Sequence, residues 1–172
     1  AMKRLANMNP EQLQSLQVPE KLAELLLAQF DRADPEYGTA MARFLHAVQE
    51  RGIRTSIDAV SDSGGRFAEK MVPAMKYSDY VIVNEIESCA IFGLNPRNGD
   101  GTLAMDAVHD AMRQMAACGV GRKVIVHSKE MGCCLVIATG VFTEVPALPI
   151  PKSEIRGSCG AGDAFCAGCL YG

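Results

Sequence analysis

The chain has 172 residues, 48% of them hydrophobic and 22% charged, and a net charge of -3. That length and balance suit one globular domain with its own core and exclude disordered and low-complexity classes. There is no basic footprint for nucleic acid, and no apolar run reaches the 18 or more residues of a membrane span.

The N-terminus lacks the basic-then-apolar design of an export signal, so the expectation is a cytoplasmic protein. Seven cysteines, an odd number, stand at 89, 118, 133, 134, 159, 166 and 169. In a reducing compartment they predict no disulfide framework. Cys166-Ala-Gly-Cys169 has no second pair and no nearby histidine. It reads as small buried apolar side chains rather than a zinc or redox site.

Residues 1–19 show no clear period, and Ala1 precedes what looks like a start Met. Leu22, Leu25, Leu26 and Phe30 fall on one helical face. A clearer helix is expected from an Asp34 N-cap with Pro35 in its first position. Tyr37, Met41, Phe44, Leu45 and Val48 recur along it, and Gly52 ends it. Ile53 to Ala59 reads as a strand, Ser61 to Gly65 as a turn, and Phe67 to Met75 as a short helix disturbed by Pro73.

Tyr80-Val81-Ile82-Val83 is an apolar run of strand length, as in a parallel sheet covered on both faces. A short helix follows over Ile86 to Phe92, then a loop over 93–101. Met105, Val108, Met112 and Met115 step by three, four and three and predict a helix closed by Gly119 and Gly121. Val124-Ile125-Val126 is a second buried strand. Leu135 to Ala138 and Val141 to Val145 predict an antiparallel hairpin turning at Thr139-Gly140, and Asp163 to Tyr171 a last helix. Strands alternating with helices predict a three-layer α/β/α sandwich with a mostly parallel sheet, one domain over 1–172. Ligands are expected at the carboxyl ends of its strands.

Gly157-Ser158-Cys159-Gly160-Ala161-Gly162-Asp163 is the most informative stretch: a glycine-rich turn leading straight into a helix. Glycines admit unusual backbone angles and close ligand approach. The first amides of a helix are unpaired donors with the positive end of the dipole behind them. Together they make an anion site, most naturally for phosphate. Asp163 is then a helix cap or a base beside a phosphoryl group. A P-loop string is absent, and a dinucleotide fingerprint fails at Phe165.

Gly160-Ala-Gly-Asp-Ala-Phe-Cys-Ala-Gly168 resembles the C-terminal signature of the ribokinase-like (PfkB) carbohydrate kinases. Tyr80 to Glu87, YVIVNEIE, resembles that family's strand followed by N-x-x-E, and Glu36 to Thr39 and Thr55 to Asp58 are similar to some members. The resemblance covers roughly residues 34–172 and implies transfer of a phosphoryl group from ATP to a hydroxyl of a sugar, nucleoside or similar small molecule. It implies Asp163 as catalytic base and the amides of Gly160, Ala161 and Gly162 as the anion hole for the ATP phosphates. It implies that Asn84 and Glu87 organise phosphates and Mg2+, the metal held by Glu87 through water. His127 and Gly132 are similar to a nucleotide loop, although His127-Ser128-Lys129 stands where many members have Thr-x-Gly. Gly157 stands where members often have Asp. The resemblance also allows a homodimer, since many members pair through a lid sheet.

The family's N-terminal substrate and lid part and its C-terminal adenine-site helices have no counterpart in this sequence. The alternative is therefore a non-catalytic nucleotide- or phosphate-binding remnant, or a fragment needing a partner chain. Each residue also has a plainer reading. Asp163 can be a cap, Glu87 a first-turn acid, Asn84 a turn residue and His127 a strand-end histidine. His46 and His109 read as helix surface groups and the nine methionines as packing.

Overall fold

The computed structural model describes residues 29–59, 66–155, 157 and 160–171. The segment 1–19, the helix expected over 20–30 apart from its last two residues, and the turn at 61–65 lie outside the described residues. The described elements are β1 (Ala33–Asp34), β2 (Gly38–Thr39), α1 (Ala40–Gln49), β3 (Ser56–Asp58), α2 (Phe67–Met75), β4 (Tyr80–Asn84) and α3 (Glu85–Ile91). They continue with α4 (Met105–Ala117), β5 (Lys123–His127), β6 (Met131–Val136), β7 (Val141–Pro146), a 3-10 turn (Lys152–Glu154) and α5 (Ala161–Tyr171).

The main sheet has the order β3-β4-β5-β6-β7. β3, β4 and β5 are parallel, β6 runs antiparallel to β5, and β7 antiparallel to β6. Four of the five strands therefore point the same way, as expected of a mostly parallel sheet. Alternation divides the side chains between two faces. Val81, Val83, Val124, Val126, Cys133 and Leu135 join one core with Met75 of α2, Cys89 of α3 and Val108, Met112 and Met115 of α4. The four-three stepping of Val108, Met112 and Met115 carries them to 2% exposure or less, while Met105 at the start of α4 is half-buried. Ile82 and Ile125, of opposite parity, are buried at 1% and 7% exposure on the face that carries α5. That face is thinly covered: no α5 residue is fully buried, and Leu170 and Tyr171 remain exposed.

Three expectations change. Asp34 does not cap the second helix. Gly38 has φ of +84°, and Gly38-Thr39 pairs with Ala33-Asp34, so the chain reverses before the helix begins. Thr39 caps α1 instead, its Oγ1 accepting from Ala42 N at 3.1 Å. Asp34 holds the preceding turn by accepting from Glu36 N and Tyr37 N, and it pairs with Arg43. Gly38 also gives room to Pro73 inside α2, since a Cβ there would come within 2.9 Å of the proline ring. The hairpin starts earlier than expected, at Met131, because His127 pairs with Gly132 across a turn closed by Ser128. His109 is not a surface group: its Nε2 is sealed from solvent between α4 and the hairpin.

Candidate active site

The carboxyl ends of β4 and β5 stand side by side, with Asn84 in register with His127. Asn84 closes β4 and opens α3 through a capping box. Its Oδ1 accepts from Glu87 N at 2.8 Å, and Glu87 Oε2 accepts from Asn84 N at 3.2 Å. Reciprocal satisfaction of two otherwise orphaned amides fixes both side chains at the strand end. Glu87 is 6% exposed. The N-x-x-E pair is thus a structural cap, with carbonyl and carboxylate oxygens held at the strand terminus.

The glycine turn arrives from the other side of the sheet. Gly160 has φ of +78°, a left-handed angle that suits glycine, and its carbonyl accepts the first helical bond of α5 from Ala164 N at 3.0 Å. The amides of Gly160, Ala161, Gly162 and Asp163 therefore lack partners within the helix. Among the described residues nothing lies within 4 Å of where a Cβ at Gly160 would stand, so none of them closes the turn on that side.

This first turn is seated directly on His127. A Cβ at Gly162 would lie 3.7 Å from the imidazole, and Phe165 packs on the same ring with centroids 4.7 Å apart. Gly132 makes room for that phenyl, because a Cβ there would come 3.2 Å from Phe165 Cζ. His127 and Gly132, the residues similar to a nucleotide loop, form the seat of α5. Through His127, the glycine turn stands beside Asn84.

Asp163 lies exposed in the first turn of α5, and among the described residues no hydrogen bond or ion pair engages its carboxylate. Ser158 and Cys159 of the signature lie outside the described residues. Gly157 is exposed.

One group of charges beside the site was not visible in the sequence. Arg97 bridges Glu85, the residue after Asn84, to Glu130 in the β5–β6 turn, its Nη1 donating to Glu130 Oε1 at 2.6 Å. Burial acts to raise the Glu130 carboxyl, but hydrogen bonds from Arg97 and Ser128 hold it below the usual range. The bridge ties the cap of α3 to the turn that carries His127 into Gly132. No spacing rule connects positions 12 and 33 residues apart, so only the fold reveals it. A cavity of about 10 Å³ lies here between Glu85, Val126, His127 and Ser128, room for about one water. Among the described residues a larger cleft, of about 500 Å³, lies at the opposite ends of the strands beside Arg54, Tyr80 and Lys123.

The sequence model of the pfkB family carbohydrate kinases matches residues 6–172. Among curated protein sequences none matches the chain. Several solved structures share the fold. Adenosine kinase from Schistosoma mansoni, in complex with 2-fluoroadenosine, is 24% identical with a TM-score of 0.60, over 75% of this chain and 38% of that one. Adenosine kinase from Anopheles gambiae, in complex with P1,P4-di(adenosine-5) tetraphosphate, is 19% identical with a TM-score of 0.62, over 95% and 49%. Ribokinase from Arabidopsis thaliana, complexed with ribose and ATP, is 18% identical with a TM-score of 0.55, over 74% and 36%. The chain thus spans less than half the length of each of these proteins. No helix among the described residues is long and apolar enough to cross a membrane.

Proposed function

The chain belongs to the pfkB family of carbohydrate kinases, and on that premise we propose that it carries the catalytic part of an ATP-dependent kinase acting on a hydroxyl of a sugar or nucleoside. One observation carries the reading: the glycine turn of α5 is seated on His127, beside Asn84, at the carboxyl ends of two parallel strands. In open α/β sheets this is where ligands bind.

In the reaction, the substrate hydroxyl forms a bond to the γ-phosphorus of ATP as the bond to the β,γ-bridging oxygen breaks, and ADP leaves with the electron pair. Asp163, exposed and without a protein partner among the described residues, accepts the hydroxyl proton. The amides of Gly160, Ala161 and Gly162 donate to the oxygens of the transferring group. Their value lies in being already oriented before charge develops. The donors beside Asn84 are hard oxygens, which fit Mg2+. Glu87 is held by its own cap and fits contact through metal-bound water rather than direct ligation. Bound there, Mg2+ would neutralise phosphate charge.

The test is ADP release and product formation with ATP, Mg2+ and a panel of sugars and nucleosides, wild type against Asp163→Asn. The expected result is transfer to at least one acceptor and a turnover lowered about 10²-fold or more, the scale of a lost general base. Turnover within about threefold of wild type would remove Asp163 from the role. Calorimetric binding of ATP with no transfer to any acceptor would instead favour a phosphate-binding protein without catalysis.

A further inference from the structure

On the opposite face of the sheet from α5, three side chains of metal-ligating type converge. His109 projects from α4, and Cys133 and Glu144 face each other across the β6–β7 ladder. One donor atom from each, an imidazole nitrogen, a thiol sulfur and a carboxylate oxygen, lies within 4.8 Å of both others. We propose that His109, Cys133 and Glu144 bind a divalent cation of the zinc class, which ties α4 to the hairpin.

The state of His109 is the second observation. Its Nε2 has no exposure to solvent and makes no aligned hydrogen bond. Glu144 Oε1 stands 2.8 Å away, close enough for charge but without the alignment of a hydrogen bond. Among the described residues the in-plane lone-pair direction of Nε2 therefore has no partner. A buried polar nitrogen left in this way is costly. Phe142 of β7 packs on the imidazole with centroids 4.3 Å apart and sets the ring's orientation.

The donor chemistry selects the ion. Sulfur with imidazole and one carboxylate suits borderline-soft zinc far better than Mg2+ or Ca2+, which take oxygen alone. Donors around a four-coordinate zinc stand roughly 3.3–3.7 Å apart. From the 4.8 Å within which they lie, the donors have to draw together by at most about 1.5 Å, while the His109–Glu144 contact opens from 2.8 Å by less than about 1 Å. Glu144 is 41% exposed and gives the ion a path in. A water from that side completes the tetrahedron. On binding, the Cys133 thiol releases its proton to solvent and its sulfur ligates as thiolate, while His109 ligates neutral through Nε2. No residue of the phosphoryl-transfer site takes part.

The experiment is a titration of the reduced, metal-free full chain with Co2+, followed by displacement with Zn2+. The expected result is one equivalent of Co2+ with tetrahedral visible bands and a sulfur-to-cobalt charge-transfer band, and a melting temperature raised by Zn2+. His109→Ala and Glu144→Gln, both at partly exposed positions, should weaken binding by more than the 10–100-fold typical of losing an outer-shell partner. Cys133→Ala should abolish the charge-transfer band. Absence of that band in wild type would overturn the proposal. So would an unchanged Co2+ spectrum and affinity in His109→Ala, which would assign binding to other cysteines such as Cys166 and Cys169. If Cys133→Ala does not fold, the His109 and Glu144 variants decide alone.

Discussion

Two aspartates mark the two ends of the β4 region, and the fold treats them in opposite ways. Asp79, just before β4, is wrapped in donors. Its Oδ2 accepts from Thr55 N at 2.9 Å and from Gln49, and its Oδ1 from Arg122. Its backbone also takes part, with Asp79 N donating to Thr55 O and Asp79 O accepting from Arg122 N and Lys123 N. This one residue stitches together the starts of β3, β4 and β5. Asp163, beyond the far ends of the same strands, has none of these partners among the described residues. The contrast teaches how to tell a carboxylate that holds a fold from one available for chemistry. In the first, both carboxylate oxygens are engaged by donors of the protein. In the second, the surroundings supply glycines and donors and leave the acid unbound.

The widest separation between the two comes from Asp163→Asn against Asp79→Ala. The first should lower turnover about 10²-fold, close to 3 kcal/mol of barrier, with the denaturation midpoint unchanged. The second should destabilise the fold by about 1–3 kcal/mol in urea titration, because Thr55 N and its neighbours lose a charged acceptor. Turnover per folded molecule should be unaffected. Equal stability losses in both variants would break the comparison.

Gly160→Ala comes next. A side chain at φ of +78° costs about 1–2 kcal/mol whatever the space around it. The strain falls on the turn that presents the amides, so the KM for ATP should rise as well. Asn84→Ala, which removes half of the capping box, should cost about 1 kcal/mol of stability. If Asn84 also orders the phosphates, turnover should fall by more than that loss of folded protein explains.

The smallest effect is on pH dependence. Burial acts to raise the Asp79 carboxyl, but hydrogen bonds from Thr55, Gln49 and Arg122 outweigh it and hold the group below its ordinary value. A carboxyl lowered by folding contributes stability that is fully present above its unfolded value, near 3.9. That contribution is lost as pH falls through the lower folded value. Asp79→Ala should therefore flatten the acid limb of the stability curve below about pH 4, and a limb of unchanged slope would show that Asp79 is not its source.

The sheet and its best-marked helix were legible because each rests on a local pattern. The apolar runs at 80–83 and 124–126 specify strands covered on two faces, and the stepping from Met105 to Met115 specifies which side of α4 faces inward. The glycine turn was legible as a helix entry because glycine admits the left-handed angle that Gly160 takes before α5. What escaped depends on neighbours remote in sequence. Asp34 carries a fair capping signal, but Gly38, four positions on, reverses the chain and passes the cap to Thr39. Met131 to Cys134 shows no clean alternation, and its strand exists because β5 offers an unpaired edge. His109 reads as a surface group until the hairpin folds over it. The Arg97 bridge joins three segments whose proximity is itself a product of the fold.

The seat of α5 depends on one missing side chain, at Gly132, where a Cβ would press on the Phe165 ring. Such a seat works as a gauge: the thickness of a hydrogen atom where others have a methyl sets how near the glycine turn stands to the sheet. A substitution in the hairpin, some thirty residues away along the chain, would then reach the turn as a displacement passed through one phenyl ring. Its signature would be a glycine turn slightly out of place rather than a protein that fails to fold.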